Sequence, residues 1–136
     1  MSSARPERDL AGTTRDVLVP GADGAVTVTV TINRLVDGAP AEVFVSGVPG
    51  DRRALVNALC RTVSTALRHG VPVDRVAHML RGQSEDAPPV RWPGKPGVVT
   101  SIPDALGRLL EATLTQQAAG PVCRCGQPLD HGGPCR

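Results

Sequence analysis

Four residues near the C-terminus have the types and spacing of metal ligands: Cys123, Cys125, His131 and Cys135. Tetrahedral zinc takes four thiolate or imidazole ligands, commonly as two close pairs. Here the pairs are C-x-C and H-x-x-x-C, with turns supplied by Gly126, Pro128, Gly132, Gly133 and Pro134. The C-x-C spacing is tighter than the usual C-x-x-C, so zinc is one of two chemistries that fit these thiols. Cys123, Cys125 and Cys135 could instead pass electrons to a disulfide elsewhere by thiol exchange. The charges of Arg124 and Arg136 would favour their thiolates. A third reading gives the cysteines no role. The segment is poor in apolar residues, so nothing but cross-linking could hold it in one shape.

A second set lies in the proline- and glycine-rich stretch from Gln83 to Gly97, where Arg91, Trp92 and Lys95 could bind an anion or a partner. A loop this long inside a compact domain tends to be functional or disordered. The same residues could also lie flat on the domain surface. Cys60, alone within a helical pattern, reads as a small buried hydrophobe. His69 suits a helix C-terminus electrostatically. His78 has no second ligand one turn away and reads as an exposed or satisfied histidine. Neither a nucleophile-elbow G-x-S-x-G nor a phosphate-cradling G-x-G-x-x-G or P-loop occurs.

The whole composition narrows the class. Hydrophobic residues make up 40% of the chain and charged residues 21%, so it can bury a core and is not compositionally disordered. The core must be aliphatic, because Phe44 and Trp92 are the only phenylalanine and tryptophan and there is no tyrosine. Single-stranded nucleic acid needs several stacking aromatics. A net charge of +2 gives little attraction for a polyanion or an anionic membrane. Nucleic acid is therefore an unfavoured partner. No apolar run reaches the roughly 18 residues of a transmembrane helix, and the first 16 residues lack the apolar centre of a signal peptide. The expected location is the cytoplasm, where thiols are reduced or metal-bound rather than paired in structural disulfides.

These residues must be positioned by a domain whose elements can be read in order. Residues 1–13 form a polar, flexible tail; residues 14–119 form the folded unit; residues 120–136 carry the cysteines and His131. Arg15 to Val19 predicts a short strand, and Pro20 to Gly24 a turn. In Ala25 to Val36, Val26, Val28, Val30 and Ile32 alternate with Thr27, Thr29, Thr31 and Asn33, the pattern of a strand with one face inward. Asp37-Gly38 turns the chain into a returning strand, with Val43 and Val45 facing one way and Phe44 the other. Asp51 is the expected cap of a helix that ends at His69-Gly70. Its inward face is expected to hold Leu55, Ala58, Leu59, Thr62, Val63, Ala66 and Leu67. Pro72 and Asp74 open a shorter helix with Val73, Val76, Ala77 and Leu80 inward, closed by Gly82. A last helix starts at Ser101, a good N-cap that Asp104 can answer as in a capping box. Pro103 sits in its first turn, where a missing N–H costs nothing. The fold class is α+β: a small antiparallel sheet of two to four strands with about three helices on one face, then a small Cys/His tail.

Thr100-Ser101-Ile102-Pro103-Asp104 resembles the motif that names the TSCPD domain. Asp37 to Val45 is similar to the family's D-G-x-P-x-E-V-F/I-V strand pair. The stretches L-V-N-A-L-C-R-T-V-S-T-A-L-R-H-G and Val71-Pro72-Val73 resemble its long helix and the H-G-V-P segment that follows. The resemblance spans about Val26 to Glu111. Such domains lie at the C-terminal end of cobalamin-dependent (class II) ribonucleotide reductases and occur as short free-standing proteins. The resemblance implies a link to ribonucleotide reduction and the supply of deoxyribonucleotides for DNA synthesis. It also implies a reductase catalytic chain as partner and cobalamin only through that partner. A cysteine cluster follows the domain in many of these reductases, and the tail from Cys123 lies in the matching place.

Two departures shape the expectation. The motif's cysteine is Ile102 here, so any sulfur chemistry falls to the tail. The reductase barrel, which holds the radical cysteine, the substrate-reducing pair and the cobalamin site, has no counterpart in these residues. The expectation is an accessory domain that is not catalytic alone, or a subunit competent only beside a separate catalytic chain. The alternative is a zinc-containing binding module for a nucleotide, nucleic acid or protein, using Arg91, Trp92 and Lys95. Whether the Val26–Ile32 strand joins a second copy edge to edge, giving a homo-oligomer, is left open.

Overall fold

The computed structural model describes residues 10–92 and 97–119, with side chains to Leu114. The elements run β1 (Ala11–Val19), β2 (Val26–Arg34), β3 (Pro40–Ser46), α1 (Arg53–Arg68), α2 (Val73–Leu80), β4 (Val90–Arg91), β5 (Val98–Val99) and α3 (Ile102–Ala119). The first three strands form one antiparallel sheet in the order β1-β2-β3; β4 and β5 pair as a separate two-stranded hairpin. This is the expected α+β architecture.

The sheet follows from the alternation of β-branched residues. Val28, Val30 and Ile32 of β2 are buried, with Val17 and Val19 of β1 and Val43 and Val45 of β3 beside them on the same face. The opposite face is polar: Thr14 Oγ1 meets Thr31 Oγ1 at 3.0 Å, and Thr29 Oγ1 donates to Asp16 at 2.7 Å. Phe44 lies on that outer face and is half exposed. The Asp37-Gly38 turn is closed by the Ala39 N–H donating to Asp37 Oδ1 at 2.9 Å.

One strand assignment changes. The first strand is nine residues long and starts at Ala11, because Ala11 to Asp16 pair along the end of β2 although their side chains are exposed. The Val26–Ile32 strand is central and paired on both sides, so it offers no edge to a second copy; β1 and β3 are the edges.

Helix α1 also differs in detail. Arg52, not Asp51, is its N-cap residue, and no side chain caps it. Its buried face is Val56, Cys60, Val63, Ser64 and Leu67. Leu55 is 75% exposed, and Ala58 and Thr62 are exposed as well. The helix is rotated from the hydrophobic expectation for a polar reason. Ser64 Oγ accepts the Val43 N–H at 2.9 Å and donates to the Val43 carbonyl at 3.4 Å. Cys60, one turn earlier, receives the N–H of Val45. Val43 and Val45 turn these groups away from β2, so α1 supplies the hydrogen bonds that a fourth strand would otherwise make.

The end of α1 follows expectation. Gly70 takes φ +85°, and the Val71 and Gly70 N–H groups return to Ala66 and Leu67, which stops the helix in a Schellman motif. Val76, Ala77 and Leu80 of α2 and Ile102, Ala105, Leu106, Leu109 and Leu110 of α3 complete one core with the sheet.

Replacing Ser64 by Ala strands both Val43 backbone groups and is expected to cost about 1–3 kcal/mol. Leu55→Ala should stay within about 0.5 kcal/mol of wild type, whereas Val56→Ala should cost about 2 kcal/mol. Urea unfolding of the three variants checks this; a larger loss at Leu55 than at Val56 would contradict the helix rotation.

Candidate functional site

The signature residues of the last helix gather around one carboxylate. Ser101 caps α3 as its sequence predicts, accepting the Asp104 N–H at 3.0 Å. Its hydroxyl also donates to the Gln83 carbonyl, which Thr100 Oγ1 reaches at 2.7 Å. Asp104 does not return the bond to Ser101 as a capping box would. Its Oδ1 accepts the Gly82 N–H at 3.0 Å and Arg81 Nε at 3.3 Å. Its Oδ2 accepts the Thr100 N–H at 3.1 Å and Arg108 Nε at 3.1 Å. A carboxylate has about four lone-pair positions, and here each meets a donor.

The two arginines extend the network. Arg81, at the end of α2, also pairs with Glu111 on α3. Arg108 donates to the Val98 carbonyl at 2.7 Å and lies 6.0 Å from the centre of the Trp92 ring. Asp104 therefore joins the end of α2, the segment after β5 and the first turns of α3. Gly107 lets the helices close: a Cβ there would lie 3.0 Å from the Ala77 carbonyl oxygen and 3.1 Å from Leu80 Cβ. Burial pushes the Asp104 carboxyl up, but the Gly82 and Thr100 N–H groups and the Arg108 guanidinium outweigh it and hold the group below its ordinary value. The carboxylate is ionised, buried and saturated. It suits fixing three segments rather than moving a proton or holding a metal.

Ile102 is 2% exposed and part of the core. The position that carries the motif's cysteine is thus an apolar packing site in this chain.

A second feature is an open groove of about 570 Å³ between α1 and β3, lined in part by Phe44, Asn57, Cys60, Arg61, Thr65 and Arg68. Cys60 is buried there, and burial pushes its thiol up, against a smaller opposing effect of the Val45 N–H. A thiol so held is a poor nucleophile, in keeping with its reading as a small hydrophobe. Glu42, also buried, accepts from Asn33 Nδ2 at 3.0 Å and lies 3.9 Å from Arg68. His78 is exposed, and the exposed His69 ring lies 2.9 Å from the Thr65 carbonyl.

The expected site residues are placed unevenly. Arg91 is exposed on β4. Trp92 is 6% exposed and packs in the core beneath Arg108, so its ring is not presented to a partner. The stretch expected to be one long loop is partly ordered by the β4–β5 pairing and by the Trp92 N–H donating to the Gly97 carbonyl at 3.1 Å. Lys95 and all four tail residues, Cys123, Cys125, His131 and Cys135, lie outside the described residues. Among the described residues no group of three or more His, Cys, Asp or Glu is placed to hold a metal. None of their helices is long and apolar enough to cross a membrane.

Arg81, Glu111 and Ser64 matter here although the chain order does not single them out. Arg108 could have been found, since it stands four residues after Asp104 on one helix. Arg81 and Ser64 act on partners 23 and 21 residues away, and no local pattern marks them.

The fold and this motif-centred network define a small α+β domain with a carboxylate hub at the start of its last helix. The model of the TSCPD domain matches residues 3–114, and the chain belongs to that family. No curated protein and no solved structure matches it.

Asp104→Asn removes the charge that four donors face and is expected to destabilise the domain by at least about 2 kcal/mol at neutral pH. The sign with pH is fixed by the lowered value. The contribution is complete above the ordinary aspartate value of 3.8 and fades as pH falls through the native one. Thermal melts of both proteins from neutral to acid pH should therefore converge; a constant gap would show that the charge is not what matters.

Proposed function

We propose that this chain is an accessory domain for ribonucleotide reduction, contributing to deoxyribonucleotide supply without being catalytic alone. The observation that carries this reading is membership of the TSCPD family in a chain whose signature side chains are all engaged in holding the domain together. A motif used in this way marks a scaffold, so the chemistry is assigned to the segment the scaffold carries. Helix α3 leads directly to that segment. There Cys123, Cys125, His131 and Cys135 have the donor set of a zinc site, and the three thiols also suit thiol exchange with a partner. The partner proposed is a reductase catalytic chain, which would supply the radical chemistry and any cobalamin. Arg91, exposed on β4, is proposed as a contact for it.

Purification from the native cell followed by metal analysis tests both parts on one sample. The expected result is recovery of a reductase large chain with the domain. Zinc in equal proportion to protein, lost in Cys123→Ser and Cys135→Ser, would identify a metal site; metal-free thiols reduced by thioredoxin would identify a relay. Repeated purification without any reductase chain would defeat the reading.

A further inference from the structure

We propose that β1 is a self-association edge: two copies of this chain join through antiparallel β1 strands about a two-fold axis at Thr14, making one six-stranded sheet. This rests on the sheet alone and is independent of the role proposed for the tail.

The two edges of the sheet are treated differently. On β3, Pro40 opens the strand, the β2–β3 register shifts at Asn33/Arg34, and Ser64 and Cys60 of α1 occupy the outward groups of Val43 and Val45. Proline, irregular register and cover by a helix are the usual ways of blocking an edge. The β1 edge carries none of them. It runs nine residues in unbroken register against β2 and contains no proline and no lysine.

Hydrogen-bonding direction alternates along a strand, so the outward groups can be named. Val43 faces away from β2, which makes its partner Ile32 face β1, and Ile32 pairs with Thr13. Thr13, Arg15 and Val17 therefore bond to β2. Gly12, Thr14, Asp16 and Leu18 point their N–H and C=O groups outward, and among the described residues none of these groups has a hydrogen-bond partner. An open row of this kind on an exposed edge is a template for pairing with another strand, which satisfies it at no cost in side-chain packing.

A second copy fits this edge by symmetry and charge. Antiparallel pairing about a two-fold axis is isologous, so a residue set must complement itself. With Thr14 on the axis, Thr14 meets its own copy, Asp16 falls opposite Gly12, and Arg15 opposite Thr13. Leu18, 41% exposed, meets Leu10. Centring on Arg15 or Asp16 would place like charges face to face, which is unfavourable. Gly12 leaves room for Asp16, and a Cβ there would lie 2.1 Å from Asn33 Oδ1, so a larger residue would have to displace the Asn33 side chain.

The direction of each N–H supplies the test. Thr14→Pro removes an outward donor and spares the β1–β2 ladder; Thr13→Pro removes an inward one. Light scattering on the full chain is expected to give twice the 14.1 kDa chain mass for wild type and the single mass for Thr14→Pro, with unchanged far-UV circular dichroism. Thr13→Pro should instead lower the melting temperature. In wild type, the Thr14 and Asp16 amides should exchange slowly at high concentration and faster by at least about tenfold on dilution. A wild type that stays at single-chain mass overturns the proposal, whether those amides exchange freely or are protected by some other segment or protein. A folded Thr14→Pro that keeps the doubled mass overturns it equally.

Discussion

The described structure depends on keeping one buried negative charge ionised. Asp104 is 2% exposed, and an uncompensated carboxylate there would be costly enough to neutralise or unfold its surroundings. Four donors prevent that, and they come from three places: the end of α2, the residue after β5 and the second turn of α3. Meeting them forces α2 against α3, and Gly107 removes the one side chain that would hold the helices apart. The hairpin follows, since Arg108 binds Val98 and lies over Trp92. Trp92, the most conspicuous aromatic in the chain, is thereby drawn into the core.

A parallel constraint governs the other half of the domain. A three-stranded sheet has two edges, and β3 would leave the outward groups of Val43 and Val45 unpaired beneath a helix. Ser64 and Cys60 meet that need, and so decide which side of α1 turns inward. Apolar area alone would favour a face containing Leu55. A buried unpaired amide costs about as much as a moderate apolar contact gains, so a small rotation toward the polar match is favoured. The same contact leaves Cys60 buried against β3, where burial pushes its thiol up.

The proposed function is divided along the chain. The signature that identifies the family is engaged in architecture, and the residues proposed for metal binding or thiol exchange come after α3 in the sequence. On that proposal the domain serves as a mount for the segment that follows it in the sequence. The open β1 edge adds a route by which two mounts could be joined, because its backbone groups are presented in a self-complementary order.

Much of this was legible in the sequence. The strands around Val28 and Val43, the Gly70 stop, the inward face of α2, the cap at Ser101 and the family itself rest on alternation, turn residues and short motifs, which are local and survive without knowledge of the fold. The tertiary structure decided everything that requires a distant partner. It turned Asp104 from a capping-box residue into a hub, because Arg81 and Gly82 arrive from another helix. It rotated α1 toward Val43, buried Trp92 under Arg108, and made the Val26–Ile32 strand central and β1 an edge. Periodicity records which residues prefer to leave water. It does not record which polar groups must be matched once they have left, and here those matches set the final geometry.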